Sequence, residues 1–142
     1  MQSFDRLLQD IHNKTLTEKR SWYSRVAAAY DRARPRYPDR LIARAVEVAE
    51  LETGANLLEI GCGPGIATLP FARLGFAMTC LEPSAAACDI ARKRCQAFPN
   101  VAIANTTFEE WDVTPEHFDA AIAATSWHWV SDVDKYRKVW TT

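Results

Sequence analysis

Four residues at alternating positions, Glu59, Gly61, Gly63 and Gly65, carry the strongest chemical signal in this chain. They continue the apolar run Leu57-Leu58 into a turn that lacks Cβ atoms where a backbone must bend sharply and approach a ligand closely. A buried strand that empties into such a turn, with a helix behind it, forms a cradle for a nucleotide-like cofactor. Cys62, inside the turn, reads as a small residue suited to a tight loop rather than as a reactive thiol. The dinucleotide fingerprint G-x-G-x-x-G requires glycine at position 66, where Ile66 stands, and the Gly-Lys-Ser/Thr ending of a phosphate-binding loop is absent. The plainer alternative is an ordinary glycine-rich turn between a strand and a helix.

Further groups could act beside that cradle. Glu82 lies 21 residues beyond Gly61 at the end of a second apolar run; its carboxylate either accepts hydrogen bonds from ribose hydroxyls or caps a helix that starts after Pro83-Ser84. His128, between Trp127 and Trp129, is either a general base for a hydroxyl acceptor or a packing histidine. His12 and His117 are placed in the lead-in and in a loop, so no metal site is expected. Cys62, Cys80, Cys88 and Cys95 show no C-x-x-C spacing and read as free thiols of a reducing compartment.

The elements that must position these groups follow from periodicity. Residues 4–12 and 21–33 have helical composition, the second ending before Arg34-Pro35 because the residue before proline is pushed out of the helical region. Asp39 is placed as N-cap of an amphipathic helix in which Leu41, Ile42, Ala45, Val46 and Ala49 recur at three- and four-residue steps. From there the pattern alternates: strands near 57–61, 76–81, 101–105 and 118–124, with helices over Ala67 to Leu74 and from the cap Ser84 to about Ala97. A last helix, capped by Ser131 or Asp132, includes Val133, Tyr136, Val139 and Trp140. Strands apolar on both faces, each followed by a helix, predict an α/β, Rossmann-like parallel sheet with helices on both faces. Right-handed crossovers give the order 3-2-1-4. Residues 1–50 read as a helical lead-in or cap and 51–142 as the N-terminal half of a Rossmann-like domain, the chain forming one domain overall.

Composition bounds the rest. The 142 residues are 48% apolar and 25% charged with net charge −1, ordinary for one globular domain. Between Lys14 and Arg44 nine Lys/Arg face three Asp/Glu; their helical spacing predicts a solvated face, not nucleic-acid contact. No apolar run reaches the roughly 18 residues a membrane span needs, and the N-terminus lacks a signal-peptide layout, so a cytoplasmic location is expected.

The acidic-x-Gly-x-Gly-x-Gly pattern at Glu59–Gly65 resembles the first motif of class I S-adenosylmethionine (SAM) dependent methyltransferases. The resemblance implies that the turn (Gly61, Cys62, Gly63, Gly65) lies against the methionyl part of SAM, while Glu59 helps hold its amino end. Charge fits, since SAM carries a sulfonium and an ammonium but no phosphate. The resemblance also implies that Glu82 and Pro83 flank the nucleoside. Thr107, where the family usually has an acid, would then bond the adenine amino group and Phe108 would wall the ring. Ala124 and Ser126, after a Phe-Asp strand start at Phe118-Asp119, would touch SAM by backbone. Tyr30-Asp31-Arg32-Ala33-Arg34-Pro35-Arg36-Tyr37-Pro38 is similar to the lead-in of small-molecule methyltransferases of the trans-aconitate and ubiquinone-biosynthesis kind, which implies that Tyr30 and Arg34 cover the cofactor. Read from its residues alone, that stretch is equally a proline-rich surface linker, and 105–111 a short amphipathic helix.

The expected activity is methyl transfer from SAM to a small-molecule acceptor. The alternatives are a SAM-binding fragment without turnover and, more remotely, an NAD-dependent dehydrogenase. Because the family sheet has seven strands and about ten residues follow Val130, the chain is expected to be truncated, with strands 5–7 absent. Its fourth strand would be an open edge that pairs with a second copy or a partner.

Overall fold

Leu57, Leu58 and Ile60 are all buried although alternate residues of a strand point to opposite faces, so the strand they form must lie inside a sheet covered on both sides. The computed structural model, which describes residues 13–112, 118–131 and 135–140, has this strand, β1 (Asn56–Ile60), at the interior of a four-stranded sheet. The others are β2 (Ala77–Leu81), β3 (Val101–Ala104) and β4 (Ala120–Ile122). All pairings are parallel, in the order β3-β2-β1-β4. Asn56 pairs with Ala77, Met78 with Val101 and Leu57 with Ala120, so the carboxyl ends of the strands align at one edge. The parallel Rossmann-like sheet and its order are as the alternating pattern predicts.

β4 is shorter than its apolar run. Asp119 closes its start, giving its N–H to the Asn56 carbonyl at 2.8 Å and accepting from the Asn56 N–H through its carboxylate at 2.7 Å. Beyond Ile122 the chain turns away, and Thr125 takes a left-handed φ of 60°.

The helices are α1 (Leu16–Ala33), α2 (Asp39–Val48), α3 (Thr68–Arg73), α4 (Ala85–Arg94) and α5 (Lys135–Trp140). α1 starts five residues before the expected 21, because Thr15 and Glu18 form a capping box: each side chain bonds the other's backbone N–H. It stops where Arg34, extended before Pro35, still bonds the Tyr30 carbonyl. Pro38, not Asp39, occupies the N-cap of α2; Asp39 is its first helical residue, where a negative charge also suits the helix dipole. Ser84 caps α4 as expected, its hydroxyl accepting from the Ala87 N–H at 3.2 Å, but the helix ends at Arg94 rather than near Ala97. The expected helix at 4–12, His12, His117, Asp132 and Val133 lie outside the described residues.

Two cores lie on the two faces of the sheet. Leu57, Met78, Phe71, Phe76 and Ile42 fill one; Leu58, Ile60, Leu81, Phe108 and Val130 fill the other. Among the described residues no helix is long and apolar enough to cross a membrane, and no cluster of three His, Cys, Asp or Glu could hold a metal.

Candidate functional site

The glycine turn emerges from the carboxyl end of β1 and is pinned to β2: the N–H groups of Gly61 and Cys62 both donate to the Leu81 carbonyl, at 2.9 and 3.0 Å. Each glycine meets a different neighbour. A Cβ on Gly61, whose φ is +71°, would stand 2.6 Å from the Ser126 Cβ, so the segment after β4 can close on the turn only over glycine. The Ser126 hydroxyl donates to the Ile60 carbonyl and fastens that contact. A Cβ on Gly63 would stand 3.0 Å from the Tyr23 hydroxyl of α1, and one on Gly65 would stand 3.3 Å from Ala91 of α4. Thus Gly65 serves helix packing and does not line the cavity that the other two face.

Two carboxyls stand beside the turn, and they differ. Glu59 is 1% exposed, accepts from the Thr68 hydroxyl at 2.6 Å and meets the Cys80 thiol at 3.6 Å. Burial drives its pKa up to about 7, against the lowering effect of those two bonds and with a small further push from Glu82. Glu82 is also buried, and burial raises its pKa, but two backbone amides partly offset that. Oε2 accepts from the Gly63 N–H at 2.9 Å and Oε1 from the Ser84 N–H at 2.8 Å. Each oxygen keeps a further lone pair, and the residue lines the cavity, so a vicinal diol can be bound there. The Ser84 bond also realises the capping alternative. The hydrogen bond of Cys62 with Cys80 and its burial hold the thiol well above its ordinary pKa, which disfavours the thiolate.

α1 covers the turn. Tyr23, Ala27, Tyr30 and Arg34 recur at helical spacing on one face, and Ala27, 1% exposed, is its contact point. The rings of Tyr23 and Tyr30 meet edge to face at 5.4 Å, and the Arg34 guanidinium lies 5.5 Å from the Tyr30 ring centre. Arg34 also donates to the Thr125 hydroxyl at 3.2 Å. Burial, with a smaller contribution from Glu82, raises the Tyr23 hydroxyl pKa strongly, so it stays protonated and can donate. Three side-chain ties hold α1 down: Arg20 pairs with Glu110, Ser24 shares a 2.8 Å hydrogen bond with Ser84, and Asp31 pairs with Arg94 at 2.6 Å.

The remaining wall follows β3 and β4. Thr107 accepts from the Glu110 N–H at 3.1 Å and starts a turn, not a helix, while Phe108 is buried in the core with Trp127 at 6.3 Å. A cavity of about 210 Å³ brings together Tyr30, Arg34, Glu59, Gly61, Cys62, Gly63, Glu82, Pro83, Thr107, Phe108, Ala124 and Ser126. His128 is not in it. It is exposed on a 3-10 turn (Trp127–Trp129), its ring 5.5 Å from that of Trp129, and partial burial lowers its pKa. Tyr23, Trp22, Leu16 and Trp129 also line the cavity, and sequence reasoning missed them; the rings of Trp22 and Trp129 meet at 6.1 Å. The missed signal is the Thr15-x-x-Glu18 box, which fixes where α1 starts and hence which residues share the face of Tyr30 and Arg34.

A parallel sheet with a glycine turn at the carboxyl edge of its central strand is the architecture in which α/β domains place their ligand crevice. Residues 57–141 match the family model described as a methyltransferase domain, and the chain belongs to that family. It is 36% identical over 95 residues to demethylmenaquinone methyltransferase of Tropheryma whipplei, covering 64% of this chain and 40% of that one. The chain therefore spans less than half the length of that relative. Among solved structures, a methyltransferase of Methanococcus maripaludis described as S-adenosyl-L-methionine-dependent superposes with a TM-score of 0.68 at 17% identity, over 91% of this chain and 60% of that one. The [4+2]-cyclase SpnF superposes at 0.64 with 21% identity, over 76% and 48%.

Proposed function

We propose that the cavity binds S-adenosyl-L-methionine and that the chain carries the cofactor half of an enzyme that methylates a small-molecule acceptor. The observation that supports this most is Glu82, held by the Gly63 and Ser84 amides with a lone pair on each oxygen left for a ribose diol. The donor set fits a cofactor that is cationic at sulfur and nitrogen and anionic at one carboxylate: Glu59 and Glu82 line one side, Arg34 and the two tyrosines the other. When bound, SAM supplies a methyl carbon activated by its sulfonium. The protein's share is alignment and exclusion of water.

In this reading Arg34, with the hydroxyls of Tyr23 and Tyr30, holds the carboxylate of the amino-acid end, and Glu59 faces its ammonium. Thr107 accepts from the adenine amino group, the Phe108 N–H donates to the ring, and Pro83 walls it. Ala124 and Ser126 border the reacting end, and Trp22 and Trp129 keep water from the mouth. Within the lead-in, the described stretch from Leu16 to Tyr37 acts as the cap of this site. His128 becomes a general base only if the 127–129 turn swings its ring toward the cavity. Pyrophosphate fits poorly: Ile66 lines the cavity where a dinucleotide site needs glycine, and α3 starts only after five turn residues.

A second reading, binding without methyl transfer, is favoured by the position of His128 outside the cavity and by the occurrence of this fold in a cyclase. Calorimetric titration with S-adenosylhomocysteine and with NAD tests the binding. Saturable 1:1 binding of the first alone supports SAM, and binding of NAD alone overturns it. Incubation with methyl-labelled SAM and a metabolite pool separates the two readings, since label above background requires turnover. We also infer a cytoplasmic setting, from four free and buried cysteines, and pairing of β4, whose outer edge meets no strand among the described residues, with a second copy. Light scattering that finds only monomers at micromolar concentration would remove the latter.

A further inference from the structure

The side chain of Arg94, the last residue of α4, does not line the cavity, yet it bonds the two segments that carry its walls, the glycine turn and α1. One guanidinium nitrogen donates to the Pro64 carbonyl inside the glycine turn, and Nη2 donates to Asp31 Oδ1 at 2.6 Å. The stem of Arg94 also supports the turn, since a Cβ on Gly65 would lie 3.7 Å from its Cδ. On the other side, Asp31 sits between Tyr30 and Arg34 on α1 and takes a second bond from Arg36 at 2.9 Å. The two side chains are only 16% and 17% exposed, so water screens the pair less than a surface ion pair. Burial alone would raise the Asp31 pKa, but the bonds from Arg94 and Arg36 hold it below the ordinary carboxylate range, so Asp31 is a carboxylate at neutral pH.

We propose that Arg94 is a positioning residue for the cofactor site: by spanning from the Pro64 carbonyl to Asp31 it sets the distance between the glycine turn and the Tyr30–Arg34 face of α1. The proposal rests on the SAM reading for the identity of the ligand, since those two walls are the ones that would hold its methionyl end. A planar fork with donors in fixed directions can satisfy two acceptors at once, which a lysine ammonium on a flexible stem does less well. The residue is thus suited to pass the seating of α1 to the turn.

The test uses Arg94→Met, Arg94→Lys, Asp31→Asn and the double variant Arg94→Met/Asp31→Asn. S-adenosylhomocysteine is the titrant, and the ligand-free proteins are followed by amide hydrogen exchange. Each neutralising variant should weaken binding about tenfold, and the double variant no more than either single one, because the two act through one contact. Arg94→Lys should keep the melting temperature and still lose affinity. Without ligand, exchange should quicken at 30–34 and 61–65 while β3 stays protected. Wild-type affinity in Arg94→Met, additive losses, or unchanged exchange in those two segments would each overturn the role. If Arg94→Met does not fold, Arg94→Lys and Asp31→Asn give the same readouts. If the wild-type protein does not bind S-adenosylhomocysteine, the SAM reading falls, and exchange still decides whether Arg94 links α1 to the turn.

Discussion

The cavity has two sides built on different physical terms. On the sheet side, Gly61, Gly63 and Glu82 are fixed by backbone hydrogen bonds and by neighbours within van der Waals contact, at positions that are nearly or wholly buried. On the α1 side, an 18-residue helix rests on one buried alanine and a few polar ties, one of them the half-exposed Arg20–Glu110 pair. The first side is packed on all its members, whereas the second keeps fewer fully buried side chains and relies more on polar ties. A ligand that enters between them therefore meets a fixed cradle and an adjustable cover.

Variants can break that contrast. Gly61→Ala should have the largest effect, because its Cβ would collide with Ser126 at a φ few L-residues adopt: a stability loss of about 3 kcal/mol and no measurable S-adenosylhomocysteine binding, read by urea unfolding and calorimetry. Glu82→Ala leaves the Gly63 and Ser84 amides unpaired, and should lower stability by about 2 kcal/mol and binding about 100-fold. Retention of wild-type affinity by Glu82→Ala would remove it from the ligand site.

A pH series sharpens the contrast with a smaller effect. Glu59, with a native pKa of about 7 against an ordinary 4.5, keeps its proton when folded after the unfolded chain has released it. Its contribution is full below 4.5, is lost as pH rises through that interval, and is gone above about 7. Wild type should thus be less stable at pH 8 than Glu59→Gln, with the gap closing toward pH 5; a constant gap would refute a protonated Glu59. On the cover, Arg20→Ala should lower stability by only about 1 kcal/mol, since the pair is partly exposed, 33% at Arg20 and 50% at Glu110. Its affinity for S-adenosylhomocysteine should stay within about threefold of wild type, and a larger loss would mean that α1 is not adjustable.

The same division governs what could be read from the sequence. The cradle was legible because its chemistry is local: a β1 buried on both faces, a turn without Cβ atoms, and a carboxylate at the end of β2 are all properties of short contiguous stretches. The strand order followed from the alternation of elements and the handedness of crossovers. The cover was harder to read. The nine basic residues between Lys14 and Arg44 indicate a solvated face, but which opposite face docks, and therefore that Tyr23 and Trp22 reach the cavity, depends on Ala27 finding its seat. Gly65 belongs by spacing to the ligand motif, yet its neighbour is Ala91 of α4, a contact across 26 residues that no local pattern encodes. His128 gives the same lesson in reverse. Its sequence neighbours placed it near the reacting end, and a 3-10 turn rotated it outward.

The strand order also sets a timetable. β1, β2 and β3 follow one another along the chain, and the Glu59–Cys80 contact closes 21 residues, whereas Asp119 must find Asn56 across 63. Closing the longer loop costs about 1 kcal/mol more chain entropy, a bias toward pairing within β3-β2-β1 before β4 docks. Ser126 follows β4 in the chain, so the contact that closes the space above Gly61 depends on the docking of β4.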